Sequence, residues 1–108
     1  MKNIEKLRNL REAHIIEYDR LKNLKKDHAT KKNIIMQEQY LKELKEAYEK
    51  QFNLCYHELI AYAENLKVRE VILNEIYEQK NFLTVQKIER MLNYTIEDFN
   101  YLYEKDVI

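Results

Sequence analysis

The sequence predicts an all-α fold: a long helical hairpin followed by a short three-helix region that ends in a helix-turn-helix. The 108 residues include no glycine and no proline, so the glycine-containing turns that close tight β-hairpins are missing. Apolar residues recur at three- and four-residue steps along most of the chain, which is the spacing of one face of an α-helix. Polar stretches interrupt this pattern near residues 27–33 and 80–81 and at Asn93.

Two long helices are predicted in residues 1–65, which we expect to form one domain. The first runs over about 2–28, the polar stretch 27–33 forms a turn, and the second runs over about 34–65. The first helix carries the apolar stripe Leu7, Leu10, His14, Tyr18, Leu21 and Leu24. The second repeats every seven residues, at Ile34, Leu41, Tyr48, Cys55 and Tyr62. Gln37, Gln51 and Glu58 occupy intervening positions, so the pattern is not a clean two-stranded coiled-coil seam.

Residues 66–108 predict a second region of shorter helices. An apolar helix covers about 68–77, and Thr84 is placed to cap the helix that begins at Val85. Thr95 is placed to cap the last helix, and Asp98 three residues later predicts a capping box. We expect Asn93, between these two helices, to adopt the positive φ that a glycine usually supplies in such turns. The inner face of the last helix comprises Ile96, Phe99, Leu102, Tyr103 and Val107.

Three segments together resemble a known family. They are the long helix at 43–62, the helix at 65–77, and the helix and turn at 84–95. They look like the ArpU-type late transcription regulators of Gram-positive phages, which are related to region four of sigma factors. The helix and turn fit that pattern at Ile88, Leu92, Tyr94 and Thr95, and the apolar positions of the last helix fit it at Leu102 and Val107. The resemblance implies a DNA-binding helix-turn-helix whose second helix reads the major groove.

The last helix departs from the family in its charge. The family has arginine and histidine along the groove-facing side, whereas residues 96–106 are acidic and aromatic, and Lys105 is their only basic residue. DNA affinity depends largely on neutralising phosphates with Lys and Arg, so an acidic helix favours a protein partner instead. The candidate protein-interface residues are Glu97, Asp98, Tyr101, Tyr103 and Glu104. Tyrosines are common at interfaces, although they also fill the edges of cores.

A second set of candidate residues could bind DNA. The net charge is zero, but residues 1–52 carry a charge of +4 and residues 53–108 a charge of −4. The most basic stretch is 20–32, which could meet phosphate or could simply be a solvated helix surface. The candidate DNA-binding residues are Arg20, Lys22, Lys25, Lys26, Lys80, Lys87, Arg90 and Asn100.

No pattern of catalytic or metal-binding residues stands out. The chain has no serine, its three histidines are scattered, and its single cysteine excludes an intrachain disulfide. The segment His57-Glu58-Leu59-Ile60-Ala61 begins like a zinc-protease helix, but Ala61 stands where the second histidine would be needed. We therefore expect no enzymatic activity, no cofactor, no metal and no small-molecule substrate.

The sequence thus predicts a cytoplasmic protein that acts by binding. Residues 1–6 lack a continuous apolar stretch and no apolar run is long enough for a membrane span, so we expect no signal peptide and no membrane partner. One interpretation is a regulator of transcription from a phage or mobile element that binds DNA, a transcription protein, or both. The alternative is a small helical inhibitor or adaptor that binds a protein without binding DNA. The long helix also favours a homodimer, although packing within one chain would serve as well.

Overall fold

The protein is all-helical over the residues that its computed structural model describes, 2–105. Five α-helices follow one another: α1 (Asn3–Lys26), α2 (Lys31–Asn65), α3 (Glu70–Glu78), α4 (Val85–Met91) and α5 (Ile96–Glu104). A 3₁₀ turn at Lys80–Phe82 joins α3 to α4. The chain forms two compact units, Met1–Phe52 and Asn53–Ile108, so the division falls within α2, whereas the sequence suggested domains of 1–65 and 66–108.

Unit 1 is a helical hairpin, as the sequence predicts. Two glutamines of α2 contact α1 in the order that an antiparallel pair requires: Gln37 reaches Glu17, and Gln51 reaches the first residue of the helix, Asn3. Both glutamines are buried. The apolar core of the unit is small, because only four of its described aliphatic side chains are buried. They are Leu7, Leu21, Leu41 and Leu44.

The buried glutamines fix the register of this hairpin. The Gln37 side-chain amide donates to the Glu17 carbonyl oxygen and to its carboxylate, each at 2.8 Å. The Gln51 amide donates to the Asn3 carbonyl oxygen at 2.8 Å. A slip of either helix along the other would leave these buried amides without acceptors, which costs more than the bonds themselves contribute. Two of the three polar residues that disturb the heptad pattern, Gln37 and Gln51, therefore specify how the helices align.

The turn between α1 and α2 is shorter than predicted. It occupies residues 27–30, since Lys31 already belongs to α2. Thr30 explains the early start, because its hydroxyl accepts from the Asn33 backbone N–H at 3.3 Å and caps the helix. His28 has a φ of 55°, and the Ala29 N–H donates to the Leu24 carbonyl oxygen, which is the Schellman way of ending a helix.

One member of the predicted apolar stripe lies largely outside the core. Tyr18 is 48% exposed, and the ammonium of Lys22 lies 5.1 Å from the centroid of its ring. The other five members of the stripe are buried or half-buried. A tyrosine at the edge of a helix face can keep its hydroxyl in water while its ring covers apolar neighbours, so the spacing alone did not determine its burial.

Unit 2 has the larger core. It combines the last part of α2 with α3, α4 and α5, and α3 packs against α5. Phe99 of α5, Ile72 and Ile76 of α3, and Ile88 of α4 have no exposed surface. The remaining buried side chains are Cys55, Tyr56, Leu59, Ile60, Ala63, Val68, Leu83, Val85 and Met91.

The helix α2 ends in the same way as α1, with a left-handed residue and a Schellman hydrogen bond. Lys67 has a φ of 58°, and the Val68 N–H donates to the Ala63 carbonyl oxygen at 3.3 Å. Val68 and Ala63 are both buried, which supplies the apolar contact that usually accompanies a Schellman end. In a chain without glycine, a lysine takes the left-handed position.

Both predicted caps in unit 2 are present. The Thr84 hydroxyl accepts from the Lys87 N–H at 3.1 Å and caps α4. In α5 the capping box is complete: the Asp98 N–H donates to the Thr95 hydroxyl at 3.2 Å, and the Thr95 N–H donates to the Asp98 carboxylate at 2.9 Å. Each cap satisfies backbone donors that the first turn of a helix leaves unpaired.

The expected positive φ at Asn93 was wrong. Among the described residues that are not glycine, only His28 and Lys67 have one. Asn93 instead folds back on α4: its N–H donates to the Arg90 carbonyl oxygen and its side-chain amide to the Glu89 carbonyl oxygen, both at 3.0 Å. The turn is held from α2 as well, because the Tyr62 hydroxyl donates to the Tyr94 carbonyl oxygen. The predicted core residue Val107 lies outside the described residues.

Candidate binding surfaces

The exposed face of α5 is acidic and aromatic. Glu97, Tyr101 and Glu104 are exposed, and steps of four and three residues place them on one side of the helix. Tyr101 is 60% exposed. These three of the five predicted interface residues therefore form one continuous surface, which we call the α5 face.

The other two predicted interface residues are engaged within unit 2. One carboxylate oxygen of Asp98 belongs to the capping box. The ring of Tyr103 is half-buried, and the guanidinium of Arg69 lies 5.5 Å from its centroid. The capping role of Asp98 was predicted from the sequence, whereas the contact of Tyr103 with Arg69 was not.

Lys87 and Arg90 lie together at a cleft in unit 2. The cleft has a volume of about 130 Å³. Its apolar lining consists of Leu83, Met91, Tyr94 and Leu102, and its polar lining of Gln79, Lys87 and Arg90. Both cations are exposed, and neither side chain forms an ion pair with a described residue. The two cations were predicted from the sequence as DNA contacts, whereas the apolar lining beside them was not predicted.

Lys80 and Asn100, the two remaining DNA-binding candidates of unit 2, lie in more enclosed positions. The ammonium of Lys80 lies 4.7 Å from the centroid of the Tyr56 ring. Asn100 is half-buried, and its side-chain oxygen is shielded from solvent without a hydrogen-bond partner among the described residues. The contact of Lys80 is with a residue distant in sequence, so the local pattern gave no sign of it.

The four basic candidates of unit 1 are exposed around the turn of the hairpin. Arg20 forms an ion pair with Glu17 at 3.3 Å, and Lys22 lies over Tyr18. Lys25 and Lys26 lie in the last turn of α1, where cations interact favourably with the helix dipole. The first turn of α2 contains Lys31 and Lys32 and no acidic residue. The turn therefore concentrates positive charge from both helix ends.

A second concavity lies on the hairpin. It has a volume of about 320 Å³ and is lined by Arg11, His14, Ile15, Lys45, Tyr48 and Glu49. Burial raises the pKa of Tyr48 above its ordinary value, and the positive charge of Arg11 partly opposes this shift. The surface of this groove is mostly apolar, and the sequence did not predict it.

Comparison with known proteins gives no relative. No protein-family model matches the chain, and neither a curated protein nor a solved structure matches it. Within the described residues, no helix is both long and apolar enough to cross a bilayer. The same part of the chain contains no group of three or more His, Cys, Asp or Glu residues that could hold a metal ion.

Proposed function

We propose that this protein is a non-enzymatic regulator of transcription, of the kind that phages and mobile elements use, and that it acts by binding another protein. The α5 face is the observation that carries the proposal. It belongs to the second helix of a helix-turn-helix arrangement, yet it presents carboxylates and a tyrosine to solvent.

The arrangement of α4 and α5 supports the first part of this proposal. Residues 92–95 separate the two helices, which is the short connection typical of a helix-turn-helix. Each helix begins with a threonine cap, and α3 packs behind α5. The order of elements agrees with the resemblance to ArpU-type regulators. Since fold does not determine function, transcription remains the process that this resemblance suggests.

The negative charge of the α5 face supports the second part of the proposal, that the protein acts by binding another protein. A helix that reads DNA needs cations to offset the repulsion between its own carboxylates and the phosphates. The α5 face offers Glu97 and Glu104, and the ammonium of Lys105 lies 5.9 Å from the centroid of the Tyr101 ring. Carboxylates around an exposed tyrosine suit a basic protein surface, where charge complementarity steers binding and the ring provides an apolar anchor.

A titration with duplex DNA tests the proposal. We expect the full-length protein to bind labelled duplex weakly even at low salt, and the variant Glu97→Lys/Glu104→Lys to bind more tightly with a steeper salt dependence. The matched control Glu64→Lys/Glu78→Lys changes two exposed carboxylates of unit 2 that lie outside α5. In a parallel assay, the wild type should bind purified RNA polymerase or its sigma factor, and the α5 variant should not.

A second candidate function is DNA binding through the turn of the hairpin. The exposed lysines at the facing ends of α1 and α2 favour it. If the wild type binds duplex with a steep salt dependence, and Lys25→Glu/Lys26→Glu abolishes the complex, the protein contacts DNA directly and the role given to the α5 face is wrong.

Self-association of unit 1 is the remaining part of the proposal. A hairpin with four buried leucines has little core of its own, and small folds often gain stability by oligomerising. Large apolar side chains are exposed on both of its helices. They are Ile15, Ile16 and Tyr18 on α1 and Ile35, Met36 and Tyr40 on α2. Pairing with a second copy would remove part of this surface from water.

A further inference from the structure

We propose that the cleft beside α4 is a binding site for an acidic peptide segment of a partner protein. One apolar side chain of the peptide would enter the cleft, and neighbouring carboxylates would pair with Lys87 and Arg90. This site and ligand differ from the α5 face and its basic partner, so either proposal can fail without the other.

The distribution of positive charge in unit 2 points to these two residues. The unit contains six lysines and arginines. Three of them lie over tyrosine rings: Arg69 over Tyr103, Lys80 over Tyr56, and Lys105 over Tyr101. A fourth, Lys67, is in the left-handed turn after α2. The remaining two border the same cleft, so two of the three cations that do not lie over a ring are found at one place.

The size and lining of the cleft favour an apolar anchor. Its volume of about 130 Å³ is close to that of an engineered apolar cavity of about 150 Å³ that binds benzene. It can therefore hold one leucine-sized or phenyl-sized side chain. Leu83 and Met91 are buried and form part of its wall. A hydrated phosphate would gain nothing from this lining, which distinguishes the site from a contact with the DNA backbone.

The walls of the cleft are held in place before any ligand arrives. The Tyr94 ring packs edge-on against Phe99 with centroids 5.2 Å apart, and its carbonyl oxygen accepts from Tyr62. The Lys87 backbone N–H donates to the Thr84 cap, so the lysine is anchored in the first turn of α4. A preformed site avoids much of the entropy cost of ordering on binding.

The experiment measures binding of fluorescent peptides to the full-length protein. The probe is an acetylated, amidated pentapeptide with leucine between two pairs of aspartates. One control peptide has serine in place of leucine, and the other has asparagine in place of every aspartate. The protein variants are Lys87→Gln/Arg90→Gln and, as a matched control elsewhere in unit 2, Lys105→Gln. Circular dichroism verifies that each variant retains its helices.

We expect the leucine peptide to bind the wild type saturably. The affinity should be lower by about tenfold or more for the serine peptide, which lacks the apolar anchor, and for the asparagine peptide, which lacks the carboxylates. It should fall as far when the leucine peptide is offered to Lys87→Gln/Arg90→Gln, which lacks the two cations. Lys105→Gln should stay within about twofold of the wild type. The proposal is wrong if the leucine peptide shows no saturable binding, or if its serine counterpart binds equally well. It is also wrong if duplex DNA displaces the peptide and if binding of that DNA requires Lys87 and Arg90.

Discussion

His28 and Lys67 show, at the scale of single residues, how this chain ends helices without glycine. Both have a positive φ and follow a long helix. For residues with a Cβ the left-handed conformation costs about 1–2 kcal/mol per residue. The surrounding hydrogen bonds and, at Lys67, the contact of Val68 with the end of α2 must offset that cost.

Replacing Lys67 by glycine should therefore stabilise the protein. We expect the free energy of unfolding of Lys67→Gly to rise by about 0.5–1 kcal/mol, because relief of the left-handed strain exceeds the added entropy of the unfolded chain. Denaturant unfolding followed by circular dichroism measures it. Lys67→Ala is the control, since alanine keeps the strain. Equal stabilities of the glycine and alanine variants would show that the backbone is not strained there.

Tyr56 should make the protein sensitive to alkali. Burial, and to a smaller extent the neighbouring Tyr77, raises the pKa of Tyr56 above its ordinary value of 10.0. The folded state therefore holds this proton more tightly than the unfolded state. The resulting contribution of Tyr56 to the free energy of unfolding is fully present below about pH 10 and is lost as the pH rises through the raised pKa.

The variant Tyr56→Phe isolates this contribution. We expect its stability to fall less steeply than that of the wild type above about pH 10, as measured by denaturant unfolding at a series of alkaline pH values. Tyr101→Phe is the control, because Tyr101 is largely exposed. Parallel losses of stability in the wild type and in Tyr56→Phe would assign the alkaline transition to other groups.

At the scale of elements, α5 depends on its capping box. Its nine residues are too few for an isolated helix to persist in water, so the cap and the packing of Phe99 hold it together. We expect Thr95→Ala to lower the free energy of unfolding by about 1 kcal/mol and Thr95→Ser to lower it much less. Thermal or chemical unfolding distinguishes the two, and a loss of similar size in both variants would attribute the effect to the methyl group of threonine.

The stability of the hairpin depends on the buried side chain of Gln37, which contacts α1. We expect Gln37→Ala to lower the free energy of unfolding by about 1–3 kcal/mol, because the variant loses a buried amide that donates to two oxygens of Glu17. Gln39→Ala, an exposed position on the same helix, should change it by less than about 0.5 kcal/mol. Similar results for the two variants would mean that Gln37 does not hold the register.

The caps and turns of α4 and α5 also show which features could be predicted from the sequence alone. Thr84, Thr95 and Asp98 cap neighbouring backbone groups, so a pattern three residues long was enough to predict them. Asn93 was mispredicted because its N–H and its side-chain amide donate to the carbonyl oxygens of Arg90 and Glu89, which holds the turn without a left-handed residue. The cleft at Lys87 and Arg90 was missed for a different reason, since Leu102 of α5 joins those cations only after the chain folds.

At the scale of the whole molecule, the exposed apolar surface of unit 1 bears on oligomeric state. The chain has a mass of 13.4 kDa, and we expect light scattering to report twice that mass at micromolar concentrations. Met36→Glu/Tyr40→Glu should shift the protein toward the monomer, because it places carboxylates in an apolar contact. Glu38→Gln/Lys42→Gln, which alters two exposed charges nearby, is the control. A wild type that stays monomeric would remove self-association from the proposed function.

The short turn at residues 27–30 has a further, kinetic consequence. It contains neither of the residues that most strongly oppose helix formation, glycine and proline, and within it only His28 has a positive φ. If all four residues 27–30 adopted the right-handed helical conformation, α1 and α2 could run on as a single helix, and α1 could pack on the α2 of another molecule. Such arm exchange reuses the existing contacts in a dimer. Refolding at high protein concentration, followed by gel filtration, would reveal it as a slowly dissociating species.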